Sequence, residues 1–145
     1  MAYAYFDTSA LIKRYIDESG RRDVLPLLRK NDCVVSGILA VEVRSALRRR
    51  VAEGALDDRR VRAVVKRFTA DRAFWTVIEV SRDVLAAAET LSAAHPLRAL
   101  DAIHVASAQL FAARIASSAL TFVSADIRQT TAAAASGMTT RHIES

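Results

Sequence analysis

The chain has 145 residues, of which 52% are hydrophobic, and a formal net charge of +5 at pH 7. This length and apolar content suffice for one compact domain with a core, so we expect a single domain over residues 1–145 rather than two. The single cysteine, Cys33, excludes an internal disulfide and a cysteine-rich zinc site.

Only three of the 21 basic residues are lysines, so the positive charge is almost entirely arginine. Arginine binds phosphate oxygens in a fork and stacks on bases, which makes nucleic acid a reasonable partner. The alternative is that the net positive charge only keeps the protein soluble. The N-terminus lacks the basic leader of a secretion signal, and no apolar run approaches the roughly 18 residues of a membrane span, so we expect a cytoplasmic protein.

Short apolar runs that favour strands alternate with longer helical patterns along the chain. This alternation predicts a three-layer α/β/α fold around a central, mainly parallel sheet of four to five strands. The predicted strands are 2–6, 33–36, 76–80 and 120–123, with 139–143 as an optional fifth. The predicted helices are 9–15, 23–29, 38–53, 57–71, 82–94, 99–116 and 126–135.

Capping residues and helix breakers mark several of these boundaries. Asp23 is predicted to cap the second helix, which would place Pro26 in the first turn, where a missing N–H costs nothing. Gly54 suits a helix end and Asp57 the following N-cap. Pro96 should stop the preceding helix. Cys33 is expected to pack as a small apolar residue at a strand start.

Two aspartates lie at or just beyond the ends of predicted strands. Asp7 ends the apolar run AYAYF, and Asp126 follows the fourth strand by three residues. The carboxyl ends of parallel strands meet at one edge of the sheet, so both side chains should face the same edge. Each could equally be an ordinary helix N-cap, since each precedes a predicted helix.

Two further acids lie in apolar helices. On the helix over 38–53, Glu42 lies at the border of the apolar stripe, where a solvated glutamate is not needed, so it is a candidate site residue. The alternative is that Glu42 forms a half-buried ion pair, for example with Arg49. Asp101 begins the most apolar helix of the chain and cannot be plain surface, although it could cap that helix if the first turn began at Ala102. His104, three residues later, is interpreted as a satisfied core histidine or a residue that supports a ligand.

Three or four carboxylates in one pocket repel one another, by on the order of several kcal/mol per close pair at an effective dielectric of about 20, unless a cation is present. A carboxylate site without cysteine or a histidine pair selects a hard cation, Mg²⁺ or Mn²⁺. Such a cation activates water and neutralises phosphoryl oxygens, so the predicted reaction is hydrolysis of a phosphodiester. Three neighbouring hydroxyls could orient the carboxylates or the water, namely those of Thr8, Ser9 and Ser124.

Basic residues cluster on the third and fourth predicted helices. A basic outer face beside an acidic pocket fits a bound RNA backbone. Two alternatives remain open, a merely solvated helix face and a docking surface for an acidic or amphipathic partner peptide. The residues concerned are Arg44, Arg48, Arg49, Arg59, Arg62 and Lys66.

Four segments together resemble PIN-domain proteins, in particular VapC-type toxins of bacterial toxin–antitoxin pairs. They are YFDTSALIKRY, VSGILAVEVRSAL, LRALDAIHVASA and FVSAD. The resemblance covers essentially the whole chain in the right order. It implies an Mg²⁺- or Mn²⁺-dependent endoribonuclease with Asp7, Glu42 and Asp101 at the three core acidic positions and Asp126 at a more variable fourth. It also implies a homodimer, and inhibition by a small VapB-like antitoxin.

Two other functions compete with this interpretation. A non-catalytic RNA-binding module would keep the fold and the basic surface, although here all four acidic positions are filled. A phosphatase with an aspartyl nucleophile, of the haloacid dehalogenase type, usually has a second aspartate two residues after the first, and Ser9 occupies that position.

Overall fold

The computed structural model describes residues 2–115 and 120–145. The strands are β1 (Tyr3–Phe6), β2 (Asp32–Ser36), β3 (Thr76–Ile78), β4 (Leu120–Ser124) and β5 (Thr139–His142). The helices are α1 (Thr8–Leu11), α2 (Arg21–Lys30), α3 (Leu39–Ala52), α4 (Asp58–Arg72), α5 (Arg82–Ala94), α6 (Ala99–Arg114) and α7 (Ile127–Ala135). A 3₁₀ turn, Ile12–Arg14, continues from α1.

The five strands of the described residues form one sheet in the order β3-β2-β1-β4-β5, and every pairing is parallel. The optional fifth strand therefore exists, and the predicted parallel sheet is confirmed. Strand β1 is central, with Tyr5 opposite Val34 of β2 and Phe122 of β4. The chain leaves β1 toward β2 on one side and later returns to β4 on the other, so the strand order reverses between β1 and β4.

Alternate residues of the strands face two separate cores, as expected of a sheet that is covered on both sides. Ala4 and Phe6 pack with α1 to α4 on one face. Tyr5, Val34 and Phe122 pack with α5, α6 and α7 on the other. The predicted three-layer arrangement is confirmed, and Cys33 is buried near the start of β2 as expected.

Several predicted boundaries needed correction. The first helix begins at Thr8 rather than Ser9, since Asp7 caps it, and β3 ends at Ile78 rather than Val80. Helix α6 begins at Ala99, so the alternative in which Asp101 caps a helix that starts at Ala102 is wrong. The predicted end of that helix, Ala116, lies outside the described residues.

The start of α2 was also predicted wrongly. The N-cap is Gly20 with φ of +89°, and Asp23 lies within the first turn instead of capping the helix. A Cβ at Gly20 would collide with the carbonyl oxygen of Glu144, so glycine alone permits both this backbone and its close approach to the C-terminal segment. Pro26 consequently lies inside the helix, where it cannot donate the backbone hydrogen bond of a helix interior.

The helix ends predicted at Gly54 and Pro96 agree with the structure. Helix α3 ends at Ala52 with Gly54 at φ +78° just beyond it, and α5 ends directly before His95 and Pro96. No helix in residues 2–115 or 120–145 is long and apolar enough to cross a membrane.

Candidate active site

A cleft of about 910 Å³ lies beyond the carboxyl ends of β1 and β4, where the strand order reverses. This is the position at which open parallel sheets place their sites. All four predicted acidic residues line the cleft, as do Thr8, Ser9, His104 and Arg49. The structure therefore brings together carboxylates that are up to 119 positions apart, from Asp7 to Asp126.

Asp7 is the most deeply buried of the four acids, with 1% of its surface exposed. Its Oδ1 accepts hydrogen bonds from Ser9 Oγ at 2.8 Å and from the backbone N–H of Ala10 at 3.1 Å. Its Oδ2 accepts from Ser9 Oγ at 2.8 Å and from Ser124 Oγ at 2.9 Å. The predicted N-cap role is real, and Ser9 and Ser124 orient this carboxylate.

The charge of Asp7 is poorly compensated. Among the described residues, no basic side chain forms an ion pair with it. Desolvation by burial raises the pKa of Asp7, and neither His104 nor the serine hydrogen bonds cancel that effect. A buried carboxylate without a cationic partner is unfavourable, so the site favours a cation or a proton at this point.

Glu42 is held by hydrogen bonds from Thr8 of α1 and from His104, which in turn contacts Tyr5 of the opposite core. Thr8 Oγ1 donates to Glu42 Oε1 at 2.6 Å, and His104 Nε2 lies 2.5 Å from the same oxygen. Tyr5 Oη lies 2.8 Å from His104 Nδ1. Since Nε2 faces a carboxylate it must carry the proton there, and in the neutral tautomer Nδ1 accepts from the Tyr5 hydroxyl.

Burial alone would raise the pKa of Glu42, but the hydrogen bond and charge of His104 lower it on balance, with Thr8 and Arg49 contributing less. The salt bridges of the described residues include none between Glu42 and Arg49, the partner that sequence reasoning suggested, and Glu42 contacts His104 instead. His104, itself only 2% exposed, contacts a candidate ligand and is not an isolated core residue.

Asp101 lies at the third position of α6, where both of its oxygens contact other groups. Its Oδ2 accepts from the backbone N–H of Arg98 at 3.3 Å and from the guanidinium Nε of Arg98 at 3.2 Å. Its Oδ1 accepts from Gln129 Nε2 at 3.0 Å. Gln129 is 3% exposed, and its Oε1 is a buried oxygen without a hydrogen-bond partner in the described part of the chain.

Asp126 caps α7 as predicted, because its Oδ1 accepts from the backbone N–H of Arg128 at 2.9 Å. The Arg128 guanidinium Nε lies 3.5 Å from the same oxygen. Asp126 also lines the cleft, so the cap does not remove it from the candidate site.

The donor types fit a hard divalent cation. The cleft offers carboxylate oxygens, a poorly compensated charge on Asp7, and the unpartnered Oε1 of Gln129, which a water molecule of a hydrated cation could satisfy. In residues 2–115 and 120–145, however, no three His, Cys, Asp or Glu side chains converge closely enough to share one ion. Each carboxylate contacts donors of its own protein instead, so cation binding would have to displace contacts such as that of Arg98 with Asp101.

The predicted basic residues divide among different surfaces. Arg49 lines the acidic cleft, whereas four others line a groove of about 640 Å³ between α3 and α4, with an apolar floor that includes Leu47 and Val61. Arg59 lies on α4 and lines neither the cleft nor this groove. The four groove residues are Arg44, Arg48, Arg62 and Lys66.

Sequence reasoning missed four residues that act at the cleft. Arg98 and Arg128 contact candidate ligands, Gln129 holds Asp101, and Tyr5 holds His104. The spacing of Arg98 and Asp101, three residues apart, was a readable signal for an ion pair on one helix face. No local signal joins Tyr5 to His104, since 99 positions separate them.

Three solved structures share the fold of this chain. A toxin–antitoxin complex from Klebsiella pneumoniae is similar with a TM-score of 0.63 and 23% identity, covering 87% of this chain and 88% of that one. FitAcB from Neisseria gonorrhoeae has a TM-score of 0.66 and 15% identity, covering 94% and 95% of the two chains. VapBC2 from Rickettsia felis, bound to a DNA fragment from its promoter, has a TM-score of 0.66 and 11% identity, covering 97% and 98%.

Identities this low establish a shared fold and nothing more. No curated protein sequence matches the chain significantly. The family model of the PIN domain, by contrast, matches residues 4–134 and so spans all four acidic positions. The chain therefore belongs to the PIN-domain family, whose members are generally nucleases.

Proposed function

We propose that this protein is an Mg²⁺- or Mn²⁺-dependent endoribonuclease that hydrolyses RNA phosphodiester bonds as the toxin of a type II toxin–antitoxin pair. The observation that carries the proposal is the cleft itself, in which a buried, poorly compensated Asp7 lies with Glu42, Asp101 and Asp126 at the edge of the sheet. Membership of a nuclease family supports it.

Asp7, Glu42 and Asp101 would hold the cation, with Asp126 as a further oxygen donor. A divalent cation in such a site activates water and neutralises the charge that develops on the phosphoryl oxygens. Ser9 and Ser124 fix the direction of the Asp7 carboxylate, while Thr8 and His104 fix that of Glu42. Arg49, Arg98 and Arg128 line the cleft and supply positive charge to an approaching phosphate backbone.

Cleavage of RNA by the purified protein tests this proposal. We expect cleavage with Mg²⁺ or Mn²⁺, loss of cleavage in EDTA, and loss in Asp7→Asn and Asp101→Asn variants that melt cooperatively like the wild type. Full activity in both variants, or activity in EDTA, would refute the proposal. Binding of RNA without cleavage and without metal binding would instead identify a non-catalytic RNA-binding module.

The groove between α3 and α4 is the surface we propose for an antitoxin. Its apolar floor and basic rim complement an amphipathic, acidic segment. The toxin–antitoxin complexes of similar fold, and the family resemblance, support such a partner. We also propose a cytoplasmic location, and a homodimer on the basis of the same resemblance. Light scattering would measure the oligomeric state.

A further inference from the structure

A third cavity, of about 320 Å³, lies on the side of α4 that faces the 3₁₀ turn and the start of α2. Four arginines from three separate elements line it, with Tyr15 at its wall. They are Arg14 of the 3₁₀ turn, Arg21 of α2, and Arg60 and Arg67 of α4. None of these arginines lines the acidic cleft or the groove between α3 and α4.

Two of the four arginines are held in place by neighbouring groups. Arg14 donates its Nε to Asp71 Oδ2 at 2.9 Å, and its guanidinium carbon lies 5.6 Å from the centroid of the Tyr15 ring. The Tyr15 hydroxyl donates to the same Asp71 oxygen at 2.7 Å. Arg60 Nη2 donates to the backbone carbonyl of Tyr15 at 3.2 Å. The terminal nitrogens of Arg14 thus remain available for a ligand.

The described residues that line this cavity include four arginines and no acidic residue. In the described part of the chain, Asp71 is the one acid that forms an ion pair with an arginine of this cavity, namely Arg14. Arg21, Arg60 and Arg67 form no ion pair with any described residue. Guanidinium groups that converge from three elements repel one another, and an anion with several oxygens relieves that repulsion. Forked donors of this kind match phosphate in geometry as well as in charge.

We infer that this arginine cavity binds a phosphate group, and that the phosphate belongs to the RNA strand outside the segment being cut. Consecutive residues of one 3₁₀ turn connect the two sites, because Ile12 and Lys13 line the acidic cleft while Arg14 lines the cavity. On this inference, the RNA strand leaves the cleft and passes around this turn to the cavity. The assignment to RNA rests on the proposed ribonuclease function, whereas the affinity for phosphate does not.

Binding measurements without divalent metal test the inference while preventing cleavage. The cavity variant is Arg21→Gln/Arg67→Gln. The matched control is Arg22→Gln/Arg82→Gln, which removes the same charge from exposed arginines outside the cavity. The probes are inorganic pyrophosphate, measured by calorimetry, and a labelled single-stranded RNA, measured by fluorescence anisotropy in EDTA over a range of salt concentrations.

The cavity variant loses two guanidinium groups, so we expect it to bind both probes at least about tenfold more weakly, while the control stays within about twofold of the wild type. The slope of log K against log salt for RNA should fall by about 0.7 for each phosphate contact that is lost. A dinucleotide, which is too short to leave the cleft, should bind both variants like the wild type.

Equal weakening of both variants would overturn the inference, because general surface charge would then explain it. Loss of pyrophosphate binding with unchanged RNA affinity would overturn the assignment to RNA and indicate a free phosphate compound instead. Displacement of pyrophosphate by an acidic peptide at equal concentration would overturn the selectivity of the cavity for phosphate. If RNA binds through the cavity but is not cleaved in the presence of Mg²⁺, the proposed ribonuclease function is refuted, whereas the assignment of the cavity as a phosphate site is retained.

Discussion

The substitution Asp7→Asn should stabilise the metal-free protein while abolishing its activity. Asp7 is 1% exposed, and its carboxylate is compensated only by hydroxyl and backbone donors. Removing the charge removes a desolvation penalty that amounts to several kcal/mol per ion in proteins. The asparagine side chain would keep an oxygen for the backbone N–H of Ala10, and its amide could donate to a serine hydroxyl, which can accept as well as donate.

The net gain is smaller than the penalty, because the hydrogen bonds to the ionised carboxylate are each worth about 1.5–3 kcal/mol. We expect the variant to gain about 1–2 kcal/mol at neutral pH, within the range that single stabilising substitutions commonly give. For a chain of this size that corresponds to an increase in Tm of roughly 3–8 °C.

The sign of the pH dependence follows from the raised pKa of Asp7. In the folded protein Asp7 binds its proton more tightly than in the unfolded chain, so its contribution to wild-type stability is most favourable below the ordinary value of 3.8 and falls as the pH rises through the folded pKa. The advantage of Asp7→Asn should therefore vanish in acid and be complete at neutral pH.

Calorimetric melting in EDTA from acid to neutral pH, and then in Mn²⁺, measures these effects. Mn²⁺ should raise the Tm of the wild type and leave that of Asp7→Asn unchanged, because a ligand that binds only the folded state stabilises it. A variant less stable than the wild type at neutral pH in EDTA would refute the claim that the Asp7 charge is poorly compensated.

Three further effects follow from the hydrogen bonds at the cleft and the cavity. Tyr5→Phe should cost about 1–3 kcal/mol in urea unfolding, because it leaves buried His104 Nδ1 unpaired; a loss below about 0.5 kcal/mol would contradict the hydrogen bond between Tyr5 and His104. Burial alone would raise the pKa of Asp71, but hydrogen bonds from its neighbours lower it on balance, so its stabilising effect is complete above pH 3.8 and is lost as the pH falls through the folded pKa. After allowance for solvent screening, Asp71→Asn should therefore lower the free energy of unfolding by about 1 kcal/mol at pH 7 and by progressively less in acid. An equal loss at pH 7 and in acid would argue against an ionic role of Asp71. Arg98→Gln should bind Mn²⁺ about two- to fivefold more tightly in calorimetry, because its guanidinium competes for Asp101; weaker binding would contradict that competition.

The layers and the sheet could be predicted from the sequence because strand and helix patterns alternate cleanly. Asp7 and Asp126 could be placed at one edge, since that edge follows from parallel strands alone. Glu42 was also identified on physical grounds, as an acid at the border of an apolar stripe. The structure adds that these acids and Asp101 line one cleft.

The remaining features depend on contacts between distant parts of the chain. The start of α2 at Gly20 depends on the close approach of the segment near Glu144, which lies at the other end of the sequence. The arginine cavity could not be predicted from the sequence for the same reason, since Arg14, Arg21 and Arg67 line one cavity only after three elements pack together. Periodicity along α4 shows that its arginines avoid the core, but it does not show what they face.

Calorimetric titration of Mn²⁺ into the wild type, Asp7→Asn and the surface control Asp17→Asn tests most directly whether the cleft forms a cation site. We expect saturable binding in the wild type and in Asp17→Asn, and no binding in Asp7→Asn. Binding that is equal in all three proteins, or absent from the wild type, would contradict the assignment of a metal-dependent nuclease site to these carboxylates.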